Sequence, residues 1–178
     1  MKSTVKWITR TAILLALSVL FQSLRVLIPV MPANVSQFVV GSLVNLCLIL
    51  AAIITGIRGG LVVAVIAPVI AYLQGFTPVP VLVVPIALGN LVLVIVVALL
   101  HKRSNLLAFA AGAVLKFFAL YLGVVKIVVP FFLPANAPEQ MKTVLSVQFS
   151  WPQLITAAIG GILALIILPV LKKAIEDL

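Results

Sequence analysis

The sequence predicts an all-α integral membrane protein, a single domain over residues 1–178 built as a bundle of six transmembrane helices with both termini inside. Three observations predict this. Hydrophobic residues make up 65% of the chain and charged residues only 8%, against about 25% charged in a soluble domain. Proline, glycine and charge clusters divide the chain into six apolar runs, each near the roughly 20 residues that cross a bilayer core. Lysine and arginine collect at alternate connections, which gives the bundle a sidedness.

The first run, residues 7–28, follows Lys2, Lys6 and Arg10. A basic start before "TAILLALSVL" has the form of a signal peptide, but more membrane follows it, so it reads as a retained first anchor. The second run, 38–57, carries Gly41, Asn45, Ala52 and Gly56 within about 60° of one another at the helical period. Such a small-residue face suits close helix contact, with Asn45 able to hydrogen-bond across it. The third run, 60–75, is short and holds Pro68; the fourth, 81–100, holds Pro85. Both prolines are expected kinks, tolerated where neighbouring helices satisfy the freed carbonyl groups. Asn90, after Gly89 near mid-membrane, reads equally as a ligand donor and as an interhelical tie. The fifth run, 105–130, contains Lys116 and Lys126, and the sixth covers 152–171.

With the N-terminus inside, eight of the twelve basic residues lie at inner ends: Lys2, Lys6, Arg10, Arg58, Lys102, Arg103, Lys172 and Lys173. The outer loops carry only Lys142. The net charge of +9 therefore follows from topology, and nucleic acid is not implied as a partner. The inner connections, "IRGG" and "HKRSN", are tight. The outer ones, "PVMPANVSQF", "GFTPVPVL" and the long extracellular loop 131–151, are elaborate, which points to recognition on that side.

Enzymatic chemistry finds no residues to carry it. His101, the only histidine, sits at an inner helix end, and the three acids Glu139, Glu176 and Asp177 all lie outside the runs. A buried nucleophile with its base is missing, as is a metal-ligand cluster. Cys47 stands alone in an apolar run and reads as a small buried hydrophobe. Without a phosphate-cradling glycine loop the chain does not hydrolyse ATP. Without a membrane Asp, Glu or His it has no usual means of proton coupling, so uphill transport would draw its energy from a partner. Among polar groups in the runs, Arg25, Tyr72 and Gln74 lie near outer helix ends, where anchoring and solute contact are both open. Lys126 lies about one turn from the outer end of its run and can snorkel. Lys116 lies roughly 16 Å from the inner end, so it is expected to face a polar cavity or interhelical carbonyl groups. Tyr121 is offset from it on the same run.

Six short apolar helices with both termini inside, no nucleotide motif, and a long outer loop before the last helix resemble the substrate-binding S component of energy-coupling factor (ECF) vitamin transporters. "TAILLALSVLF" places Ala12 and Ala16 like that family's AxxxA contact with its coupling subunit. "FVVGSLVNLCLILAAIITGIRGGLVVAVIAPVIAYLQG" with "PIALGNLVLV" looks like the branch of riboflavin, pantothenate and cobalamin carriers. The resemblance implies a subunit in a prokaryotic plasma membrane that captures a vitamin from outside. It then tilts in the bilayer on a transmembrane coupling subunit bound to two ATPases. ATP and magnesium would be used by those partners, with no cofactor on this chain. A carboxylate such as pantothenate would want Arg25, Lys116 or Lys126. A flavin would want rings, of which Tyr72, Phe117, Phe118 and Tyr121 are the main ones. Cobalamin would want scattered amides, which Asn34, Gln37, Gln74, Asn136 and Gln148 offer, and overall resemblance leans to cobalamin. The reading from another class, a stand-alone small channel or membrane assembly protein, implies neither a tightly held solute nor ATPase partners.

Overall fold

The computed structural model describes residues 2–28, 30, 32–134 and 136–176, without the side chains of Lys2, Ala33, Asn34, Ala174, Ile175 and Glu176. Helices are the only regular structure among the described residues. α1 spans Lys2–Leu27, α2 Ala33–Ile54, α3 Gly56–Leu73 and α4 Val83–Leu100. α5 spans Asn105–Leu120 and runs on as a π-helix, Tyr121–Val128, and a last α-turn, Val129–Phe131. α6 spans Glu139–Gln148 and α7 Trp151–Glu176. Six stretches are long and apolar enough to cross a membrane. Leucine, isoleucine and valine are exposed all round the outside of the bundle, as a lipid-facing surface requires.

α2 is the central helix. Residues 45–52 are buried without interruption, and Leu48, Ile49 and Ala51 have no solvent-exposed surface. It packs against α1, α3, α4 and α7. Small residues allow this. Gly60 of α3 lies so close to Ala52 that an added Cβ would sit 3.3 Å from its Cα, and Gly41 faces Thr156 of α7. Gly56 was expected on the same packing face but lies beyond the helix. It takes φ +71°, a left-handed conformation that glycine alone adopts at low cost. There it breaks α2 from α3, while Thr55 donates its backbone N–H and its hydroxyl to the Ala51 carbonyl. Pro85 falls in the first turn of α4 rather than at a mid-helix kink, since the preceding Pro80–Leu82 forms a separate 3-10 turn.

One end of the bundle carries the N-terminus, the Thr55–Gly56 break, the 101–104 turn and the end of α7. His101 sits there, its imidazole drawn below its usual range by partial burial and by the charges of Lys102 and Lys172. The opposite end holds the long connections. The 131–151 segment, expected as an unstructured loop, contains α6. Met141, Leu145 and Phe149 recur every four residues and give α6 an apolar stripe. This stripe packs with Leu82, Val124 and Val128. The cost of ordering the segment is offset by that burial, so it forms a cap rather than a tether.

Candidate functional site

Beneath the cap lies a cavity. Its volume is about 170 Å³. Its walls come from α1 (Gln22, Arg25), α2 (Gln37, Gly41, Asn45), α3 (Pro68, Ala71), α4 (Asn90), α5 (Lys116, Leu120) and α7 (Gln153). Phe76, Thr77, Gln148 and Phe149 close the loop end.

The floor is Lys116, 3% exposed. Its ammonium donates to Asn45 Oδ1 at 2.6 Å and to Asn90 Oδ1 at 2.7 Å. An ammonium only donates, so both amides must turn their oxygens toward it and their NH₂ groups away. Asn45 Nδ2 accordingly donates to Thr156 Oγ1 at 3.3 Å, and Asn90 Nδ2 to the Ala64 carbonyl at 3.5 Å. Thr156 passes its own hydroxyl proton to the Gln153 carbonyl at 3.1 Å. The network joins five helices through groups that are nearly all inaccessible. Asn45 lies twelve residues below the loop end of α2, roughly 18 Å down, so the charge is held near mid-bilayer.

The lid is fastened by two glutamines. Gln37 Nε2 and Gln153 Nε2 each donate to the Gln148 carbonyl at 3.0 Å. The last carbonyls of a helix have no partner within it, so these amides complete the end of α6 and hold Phe149 over the cavity. Gln37→Leu is expected to loosen the lid and raise solute dissociation about fivefold, the loss of one hydrogen bond of about 1 kcal/mol. Stopped-flow release from the purified protein checks this. An unchanged rate would mean that Phe149 packing alone holds the lid.

Of the residues expected to contact solute, Arg25, Gln37, Asn90, Lys116 and Gln148 come together on this cavity. Arg25 lies over the Phe76 ring, 5.5 Å from its centroid. Gln74 stands beside the site and donates to Ser23 at 2.9 Å. Tyr72 is exposed on the outside and Asn136 is exposed in the 132–138 connection. Lys126 and Tyr121 meet each other instead, the ammonium 5.5 Å from the ring centroid, and Tyr121 stacks on Phe117 at 5.9 Å. The Asn34 side chain lies outside the described residues.

Sequence reasoning passed over Gln22, Gln153 and Thr156, and left Asn45 to helix packing alone. A signal for Gln22 exists, because Thr11, Ser18 and Gln22 recur at seven and four residues and all three are buried. α1 therefore turns a polar stripe inward. Ser18 Oγ and Gln22 Oε1 are buried without a hydrogen-bond partner, and Gln22 faces the cavity. Gln22 Oε1 thus stands as an unpaired acceptor on the wall of a polar cavity inside an apolar bundle.

No curated protein and no solved structure matches the chain. A family model, described as the ECF transporter substrate-specific component, matches residues 6–172. A membrane bundle of six apolar helices around a capped polar cavity agrees with that match, and the chain belongs to the family of substrate-specific components of ECF transporters.

Proposed function

We propose that this chain captures a small vitamin-type solute from the outside of a prokaryotic plasma membrane and delivers it by tilting on a coupling subunit. The observation that carries the reading is the capped cavity, with a charged floor held at mid-bilayer depth. Orientation rests on charge: the end with both termini bears eight basic residues, which the positive-inside rule assigns to the cytoplasm. The cavity then opens outward. Membership of the family implies association with ECF coupling and ATPase subunits, and ATP and magnesium are used there, with no cofactor on this chain.

Cavity size bears on the choice of vitamin. A cavity of about 170 Å³ lies below the roughly 300–1,000 Å³ of drug-sized ligand sites. That supports a compact solute such as pantothenate over cobalamin, towards which overall resemblance leans and whose corrin ring is far bulkier. Riboflavin would want flat aromatic walls, whereas this cavity offers Phe76 and Phe149 among amides.

Ala12 and Ala16 are both exposed on α1, on the side turned away from the buried Leu14 and Ser18, where a coupling subunit can approach the backbone closely. Ala16→Trp, and equally Ala12→Trp, adds bulk only to that outer face. Uptake by cells carrying the whole transporter is expected to fall more than tenfold, while calorimetric binding of the solute to the purified variant stays within twofold of the parent. Uptake that survives the tryptophans, or that needs no ATPase partner, would favour a stand-alone channel.

A further inference from the structure

The cavity is one-sided in charge. Lys116 forms its floor and Arg25 its mouth, and among the described residues no carboxylate lies within 4.0 Å of either. The chain has only three acids. Glu139 is spent on an exposed pair with Lys142 at 2.6 Å, Glu176 is the last residue of α7, and Asp177 lies outside the described residues. Among the described residues none therefore serves as counter-ion to Lys116 at mid-bilayer. Asn45 and Asn90 orient the ammonium without neutralising it, and a buried charge in that condition is costly. If helix contact were the only need, leucine or methionine would fill the position without that cost. Two of the three N–H groups are committed to the asparagines, which leaves one for an outside acceptor. On α1, Gln22 Oε1 is a buried acceptor with nothing donating to it.

Resting on the reading of this cavity as the capture site, we infer that the solute is a small organic monoanion, a carboxylate. Its charged group docks on Lys116 between Asn45 and Asn90, and it carries an N–H or O–H group for Gln22. The floor also argues against a phosphate. A dianion would need several donors or a helix N-terminus, whereas this site offers one free N–H on a point charge. Arg25, exposed at the rim over Phe76, draws anions toward the mouth before they reach the floor.

Matched pairs that differ only in charge test the inference, using the full chain in lipid nanodiscs and calorimetry. The probes are pantothenate against pantothenyl alcohol and biotin against its primary amide, each acid carrying N–H or O–H groups. Riboflavin and cobalamin serve as solutes that carry no carboxylate. At least one acid is expected to bind 100-fold or more tightly than its uncharged partner. Lys116→Gln should reduce that ratio below tenfold. Asn90→Asp, which supplies the missing counter-ion from within, should do the same while keeping the contact to Lys116, at the loss of the bond to the Ala64 carbonyl. An uncharged partner that binds as tightly as its acid overturns the inference and leaves solute capture standing. So does tight binding of riboflavin or cobalamin that ignores Lys116→Gln. Failure of every compound to bind counts against capture itself, and the anion inference falls with it.

Discussion

Asn90→Leu is expected to destabilise the protein by about 2–3 kcal/mol, and Lys116→Met by clearly less. The asymmetry comes from what each substitution strands. Leucine at 90 removes one of the two acceptors of a buried ammonium, and a hydrogen bond to a charged group is worth about 1.5–3 kcal/mol. The Asn45 contact at 2.6 Å cannot replace it. Methionine at 116 removes the charge instead. It fills the same length with apolar atoms and leaves Asn45 and Asn90 each with its outer NH₂ bond, while the loss of the donor to their two Oδ1 atoms offsets part of the gain. Exchange of buried ionic groups for apolar ones of similar volume is often neutral or stabilising by about 1–4 kcal/mol. The double variant should recover most of the Asn90→Leu loss, as expected for groups in one network. Thermal unfolding in nanodiscs measures all three. A loss from Lys116→Met as large as that from Asn90→Leu would make the lysine a structural tie. That result would remove the reason for regarding its charge as held in readiness for a solute.

Gly160→Ala should cost about 1–3 kcal/mol and weaken solute binding at the same time. A Cβ at 160 would lie 2.7 Å from Asn45 Cβ, 2.9 Å from the Ser42 carbonyl oxygen and 3.0 Å from Leu46 N. The last two are backbone atoms of α2, so no side-chain rotation relieves the contact and the helices must separate. Inserting a methylene into a well-packed interior costs about 1–3 kcal/mol. Alanine gains up to about 1 kcal/mol in helix propensity, so any net loss is steric. The separation also pulls Asn45 off Lys116, which links this packing contact to the cavity floor. Gly161→Ala is the milder comparison, since its Cβ would make one tight approach, 3.0 Å to Phe109 Cβ, against three at Gly160. Equal unfolding temperatures for the two variants would show that α2 and α7 are free to slide.

The membrane spans were legible in the sequence because the bilayer imposes a length and a composition on each of them. α2 covers Ala33–Ile54 where 38–57 was expected. α6 was legible too, in the recurrence of Met141, Leu145 and Phe149, but prolines at 130, 134, 138 and 152 made the segment read as loop. Proline stops a helix at its own position and says little about the thirteen residues between Pro138 and Pro152. Lys116 was anomalous from the start, since its distance from the membrane surface requires polar company, and its alternatives were a cavity or a tie to carbonyl groups. The structure gives it both, as floor of the cavity and as donor to two amide oxygens.

Some features were determined by the sequence alone. These are the class of fold, the number of spans, the side on which basic residues gather, and the lack of any acid to balance Lys116. Each depends only on how many residues of a kind stand in a stretch of given length, a quantity that folding does not change. The partners of Lys116 were decided by tertiary structure. Asn90 is 26 residues away and Asn45 is 71, and no local pattern relates them. They meet because small residues such as Gly41, Gly60 and Gly160 let the helices approach and so set how each is rotated about its axis. A rotation of half a turn would carry the same asparagines to the lipid face with the sequence unchanged.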